Sequence, residues 1–324
     1  MQQQVDAVPM TAGERATGWI EAALYVLAIG AVSVVYAIAI GAGAHVVVFI
    51  VYSLLISAIG MLAITGLGDE PVRIMLSPHS WLVGLSNIVL EGGYCLMLVT
   101  ISPAEGNLLV RLSIPIAVLV GLFVFGRRPT TGGWIGAGLV FLGIMVLSVT
   151  LDLAAQTQGI LYGLVCAMAV AARGFSTEFH PWNRAARTIA EKIRVTGLVV
   201  LITGIAALVL VGIGASLVAA GVVSRNDLVP AAHDLVHVPT FVYALLVGGA
   251  IFTAMNYLQF SSVVKIRTEN FIAMGAFMPL ATLLLQTIAV SLGWISVSAF
   301  DWRLVPGMMI VVAGVLILIK TRRG

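Results

Sequence analysis

Residues 19–66 read WIEAALYVLAIGAVSVVYAIAIGAGAHVVVFIVYSLLISAIGMLAITG, a nearly continuous apolar run. One helix needs about 20 apolar residues to cross the hydrocarbon of a bilayer. The run is more than twice that length, so it holds two spans, parted at Gly41-Ala42-Gly43. Runs of this length suit helices, since a barrel strand needs only about half as many residues. Outward from this pair, the same pattern repeats along the chain. Ten spans follow: 18–40, 44–66, 81–101, 105–126, 133–151, 159–179, 189–217, 240–260, 268–292 and 303–320. Turn-forming segments mark the breaks, as at Gly66-Leu67-Gly68-Asp69-Glu70-Pro71 and Gly126-Arg127-Arg128-Pro129. The longest break, 218–239, carries Arg225, Asp227, His233, Asp234 and His237.

Composition agrees. The chain is 60% hydrophobic and 10% charged, whereas soluble domains carry about 25% charged residues. Such a surface must face lipid, where the backbone has to satisfy its own hydrogen bonds. Cys95 and Cys166 both lie in apolar runs, which points to buried thiols rather than a disulfide. Met1 to Thr17 is polar and lacks a cleavable-signal pattern, so the first helix is expected to remain as a span. With ten spans, one side collects Arg15, Arg73, Arg127, Arg128, Arg184, Arg187, Lys192, Arg194, Lys265, Arg267, Lys320, Arg322 and Arg323. The other side holds only Arg225 and Arg303. That bias predicts both termini in the cytoplasm, and a cell (inner) membrane is the expected location.

The chain also repeats itself. Segments 84–105 and 248–269 align at an offset of 164 residues, placing Gly84 on Gly248, Glu105 on Glu269 and Pro115 on Pro279. Gly136 and Gly143 match Gly307 and Gly314 at an offset of 171, and Gly18 matches Gly159 at 141. The offset changes fall near the loops 218–239 and 293–302. Each half then holds five spans, and an odd number inverts the second half relative to the first. Inverted repeats permit two bundles to rock about a central site.

Pro115-Ile-Ala-Val-Leu-Val-Gly-Leu-Phe-Val-Phe-Gly126 followed by Gly133-Trp-Ile-Gly-Ala-Gly-Leu-Val-Phe-Leu-Gly143 resembles the end of an EamA-type repeat. So does Pro279 through Gly307-Met-Met-Ile-Val-Val-Ala-Gly314, and Gly159-Ile-Leu-Tyr-Gly-Leu-Val resembles a repeat's start. The chain thus resembles the drug/metabolite transporter superfamily from about Gly18 to Lys320. The resemblance implies an all-α membrane protein of ten transmembrane helices in two inverted five-helix repeats, 18–151 and 159–320. Short cytoplasmic tails, 1–17 and 321–324, would flank them. Gly126-Arg127-Arg128 stands where the family often has an acidic residue, and the family's motifs specify fold rather than cargo.

Glu91 is the most informative side chain. It falls midway along span 81–101, where a carboxyl must be protonated, paired or hydrated. It is a candidate substrate contact or proton-coupling group, or else a structural partner of Arg111. Asn87 shares its helical face at i−4. Arg111, inside the next span, suits a carboxylate or phosphate. Tyr94, Asn256, Tyr257, Gln259, Trp19 and Tyr25 are candidate cavity residues, the aromatics offering cation–π contacts to an amine. Pro115 and Pro279 are candidate kinks or hinges. Ser102-Pro103-Ala104-Glu105 reads as a capping box, with an analogous helix start expected at Thr268-Glu269. Glu21, Arg173 and Glu178 are expected at the membrane boundary.

No phosphate-binding glycine loop, nucleophile elbow or zinc pattern is present. His233, Asp234 and His237 lack a fourth ligand, so no metal, cofactor, catalytic residue or nucleic-acid partner is expected. The sequence points to a secondary transporter rather than an enzyme. It would move a small metabolite, an amino acid or amine first, with protons as the candidate coupling ion, surrounded by membrane lipids. Translocation of a lipid or lipid-linked sugar is the alternative cargo class, and a membrane channel the alternative mechanism. Monomer and homodimer are both compatible with the sequence.

Overall fold

The computed structural model describes residues 11–149, 153–296 and 302–321; for 153–156, 178, 260, 263, 264, 267–270, 272, 273 and 319 it describes the backbone alone. Helix is the regular secondary structure throughout the described residues. In chain order the elements are α1 (Ala12–Gly41), α2 (Val46–Thr65), α3 (Pro71–Met75), α4 (Pro78–Met97), α5 (Pro103–Val110), α6 (Ser113–Phe123), α7 (Thr131–Ser148) and α8 (Leu153–Phe179). There follow α9 (Pro181–Ala185), α10 (Ile189–Ala219), α11 (Ala232–Leu235) and α12 (Val238–Ala244). After α12 comes a π-helical stretch (Leu245–Phe252), then α13 (Thr253–Gly275), α14 (Met278–Ser291) and α15 (Leu304–Lys320).

Among the described residues, seven segments are long and apolar enough to cross a membrane: Ala12–Gly41, Val46–Thr65, Pro103–Phe123, Thr131–Ser148, Thr157–Thr177, Ile189–Ala219 and Val238–Gln259. Met278–Ser291 and Leu304–Leu318 are apolar but shorter. Helix α4 equals α2 in length yet is less apolar, because it carries His79, Asn87 and Glu91. Large apolar side chains such as Ile59, Leu85, Phe141, Leu210 and Leu284 point outward, where only lipid would accept so many of them. The protein is an α-helical membrane protein.

Local sequence explains most helix ends. Ser102 accepts the Glu105 amide and Glu105 Oε2 accepts the Ser102 amide at 2.7 Å, the capping box expected there. Thr11–Glu14 and Thr188–Glu191 form two more. The expected break between the eighth and ninth spans does not form: the backbone is helical from Val238 to Gly275, through the π-helical stretch. Thr268 and Glu269 therefore lie inside α13 and start no helix; their side chains lie outside the described residues, as does that of Glu178. Apolar neighbours and the lack of Pro or Gly between Thr253 and Met274 let the helix continue. The chain breaks instead at Arg111–Leu112 and at Ala276–Phe277, which end three and two residues ahead of Pro115 and Pro279.

The principal pairings are α7 with α15, α2 with α10, α4 with α8, and α1 with both α13 and α14. Glycine makes the first of them possible. A Cβ on Gly136 would strike the Gly314 carbonyl, and one on Gly143 the Gly307 carbonyl, with the same true in reverse. At Gly248, in the π-helical stretch, a Cβ would strike the Ser53 carbonyl of α2. Backbones approach this closely only where a side chain is missing.

Candidate functional site

The polar side chains of α4 point to α1 and α8. Tyr36, fully buried on α1, donates its hydroxyl to Glu91 Oε2 at 2.8 Å. One turn back along α4, Asn87 Oδ1 accepts Arg173 Nη1 of α8 at 2.8 Å, and the Arg173 charge acts on Glu91. Cys166 explains the placement of Arg173. It lies seven residues earlier on the same face of α8 and donates its thiol to the Leu90 carbonyl of α4. Arg173 is thus a member of the central cluster and not the boundary residue expected from the sequence.

Arg111 ends α5. Its Nε donates to the Asn107 carbonyl at 3.2 Å and its Nη1 to the Gly275 carbonyl at 3.4 Å, across to the end of α13. The expected alternative, a structural pair between Glu91 and Arg111, is absent: no salt bridge joins them among the described residues. Both nevertheless share a neighbour. Tyr25 of α1 is 7% exposed, packs its ring tilted at 4.8 Å from that of Phe271, and lies within electrostatic reach of Arg173, Glu91 and Arg111. Glu91, Asn87 and Arg173, each well inside a helix, and Arg111, at the break between α5 and α6, all keep partial accessibility. Charged groups that cannot reach bulk water need internal water or a ligand for the rest of their hydrogen bonds.

Below this cluster lies a polar layer that the sequence reading missed. Asn107 Nδ2 lies 2.7 Å from Ser33 Oγ, 2.9 Å from the Tyr94 hydroxyl and 2.9 Å from Thr282 Oγ1. It has two hydrogens for these three acceptors. Tyr94 donates to the Pro103 carbonyl at 3.0 Å, and Gln286 Oε1 accepts the Ala104 amide at 3.0 Å. The layer ties α1, α4, α5 and α14 together. Asn107 and Gln286 carried a signal that was readable, as amides set in apolar runs.

The remaining expected site residues scatter. Tyr94 serves the polar layer. Asn256 turns its amide back onto the Phe252 carbonyl at 2.8 Å. Tyr257 is 50% exposed on the outer surface of α13, and Gln259 is partly exposed with no bond to the cluster among the described residues. Trp19 is exposed. Glu21, expected at the boundary, is 8% exposed: its Oε1 accepts Ser261 Oγ at 2.9 Å and Lys265 Nζ, while its Oε2 has no hydrogen-bond partner. A groove of about 400 Å³ opens on the flank, lined by Tyr52, Leu55, Ile56, Leu235, Val236, Val238 and Phe241. It is apolar and touches none of the central charges. Among the described residues, no group of His, Cys, Asp and Glu could hold a metal ion.

No family model matches the chain, and no curated protein matches it. A solved structure titled "Crystal structure of protein" superposes with a TM-score of 0.55 at 16% identity, over 95% of this chain and 99% of that one. At that identity the likeness is one of fold.

Proposed function

We propose that this protein is a secondary transporter, not an enzyme, that binds a small metabolite between two inverted five-helix repeats and releases it by alternating access. The observation that carries this reading is the cluster of Glu91, Arg173 and Arg111 around Tyr25, in the interior of the helix bundle and partly accessible. Ionisable groups at such depth are costly and mark substrate or ion pathways.

Helix pairings support the repeat. If α1 corresponds to α8, α2 to α10, α4 to the π-helical stretch with α13, α5–α6 to the end of α13 with α14, and α7 to α15, the principal pairings have counterparts. The α4–α8 pairing answers to α13–α1, and α6–α8 to α14–α1, while α2–α10 and α7–α15 map onto themselves. The glycine crossings obey the same exchange, since Gly136 on Gly314 maps to Gly307 on Gly143. The ten spans, the EamA-type resemblance and cytoplasmic termini in an inner membrane belong to this proposal. The apolar flank groove favours a second reading, a lipid or lipid-linked sugar whose chain lies in the groove while its headgroup enters the bundle.

The test is flux into proteoliposomes. Saturable, counterflow-competent uptake of a small metabolite, lost in Glu91→Gln, is the expected result. Conductance that rises without saturation would replace the transporter with a channel. Scrambling of labelled lipid without metabolite uptake would select the lipid reading.

A further inference from the structure

We infer that Arg111 is the docking point for an organic anion, a carboxylate attached to an apolar or aromatic body. This deepens the transporter reading and rests on it. A guanidinium has five N–H donors, and two of those of Arg111 are used, on Asn107 O and Gly275 O. Five minus two leaves three without a protein acceptor among the described residues. No carboxylate pairs with it there, and the residue is partly accessible.

The backbone around it is arranged alike. Arg111 lies where two helices break. Helix α6 starts at Ser113, and α14 starts at Met278 just past the Gly275 carbonyl that Arg111 holds. Pro279 explains that carbonyl: it has no N–H to give to the residue four positions earlier, so Gly275 is left for Arg111 to cap. Arg111 therefore holds carbonyls at the C-terminal ends of α5 and α13 where α6 and α14 begin, and its remaining N–H groups are the donors of the site.

The guanidinium of Arg111 is bonded only to carbonyls and to no carboxylate among the described residues, so its charge favours an anion and disfavours an amine. The Tyr25–Phe271 ring pair supplies an apolar wall for the body of the ligand. Amines, expected from the sequence beside amino acids, fit this site worst. A lipid phosphodiester carries the same single charge and is the other source of this chemistry.

The experiment compares wild type, Arg111→Gln, and Arg111→Gln with Pro279→Ala. The last change restores an N–H for Gly275. Binding of benzoate and longer monocarboxylates, a phosphate monoester and matched amines is read from melting temperature and titration calorimetry. The same proteins are placed in nanodiscs of phosphatidylcholine with or without phosphatidylglycerol. A monocarboxylate that stabilises wild type, with affinity reduced tenfold or more in both variants while the double variant regains wild-type stability, supports the inference. Stabilisation by phosphatidylglycerol alone, equally Arg111-dependent, supports it with lipid as the source. Wild-type binding in the double variant would reduce Arg111 to a cap, and preferential amine binding or no anion binding would overturn the inference. Arg111-dependent binding without counterflow would leave the anion site standing and remove the transporter reading; amine counterflow without anion binding would do the reverse.

Discussion

In the loop after α10, Asp234 is 3% exposed and surrounded by donors. Arg225 Nε and Nη2 reach its two oxygens at 2.9 Å each, and the Ala231 amide reaches it at 2.8 Å. Inside the bundle, Glu91 receives one tyrosine hydroxyl and Arg111 is held by two carbonyls. The loop pair is closed, each charge answered by its opposite in bidentate geometry. The interior charges are left open in a place where open charges cost more. A loop needs a fixed shape, so its charges satisfy one another. A binding site needs unspent donors and acceptors, so its charges do not.

Breaking the interior set should have the largest effect on function. Arg173→Met and Glu91→Gln are each expected to cut flux by ~100-fold, equivalent to about 2.7 kcal/mol, whereas Arg225→Met should leave flux per folded molecule near wild type. Equal losses from all three in proteoliposome uptake would erase the distinction. Breaking the closed pair should instead cost stability. Asp234→Ala leaves the Ala231 amide and Arg225 without their acceptor and is expected to lower unfolding free energy by about 1–3 kcal/mol, measured by denaturant titration in detergent. Burial pushes the Asp234 carboxyl up, but the Arg225 hydrogen bonds, the Ala231 amide and the charges of His45 and Arg225 together bring it down to about 2. A depressed carboxyl contributes stability above its unfolded value, lost as pH falls through about 2. The loop should therefore stay fastened at pH 5.

Packing sharpens the same contrast. Gly248→Ala drives a methyl into the Ser53 carbonyl and is expected to cost about 1–3 kcal/mol. Gly92→Ala, beside Glu91 with nothing within 4 Å of its Cβ, should change stability by less than about 0.5 kcal/mol. A large effect at Gly92 would mean that no open space adjoins the charges. A small, pH-dependent effect is expected at His180, which links the α3–α4 and α8–α9 turns. Its Nε2 lies 2.9 Å from Ser80 Oγ, and its Nδ1 accepts the Asn183 amide. Burial, then the nearby His79, hold the imidazole at about 4. A histidine with a depressed folded value contributes stability above its unfolded value, and this is lost as pH falls toward about 4. From pH 7 to 6 the loss should be under about 1 kcal/mol, and His180→Gln should flatten it.

Much of the fold was legible in the chain. The run 19–66 parts at Ala42–His45 as its glycines suggest, and Ser102–Glu105 caps its helix through contacts three residues apart. The break expected over 261–267 does not form, because Lys265 and Arg267 suit a loop in the sequence while an unbroken helix tolerates them. At the candidate site, Glu91, Asn87 and Arg111 stood out as polar residues in apolar runs. Arg173 was misplaced because its depth depends on how α8 packs against α4. Tyr257 was misjudged because a helix has an outer face, and Tyr257 lies on it.

The sequence alone determined that this is a helical membrane protein, since apolar runs of membrane length can satisfy their backbone in lipid only by coiling. It also determined the local caps and proline breaks, which depend on neighbours a few residues away. The tertiary structure decided which charges meet. Tyr36 and Glu91 are 55 residues apart, Asn87 and Arg173 are 86 apart, and Arg111 reaches Gly275 across 164. Contacts at such separations follow from how helices rotate and cross. Those angles are set by small-residue approaches such as Gly136 on Gly314 and Gly248 on Ser53, and by no pattern within a single helix.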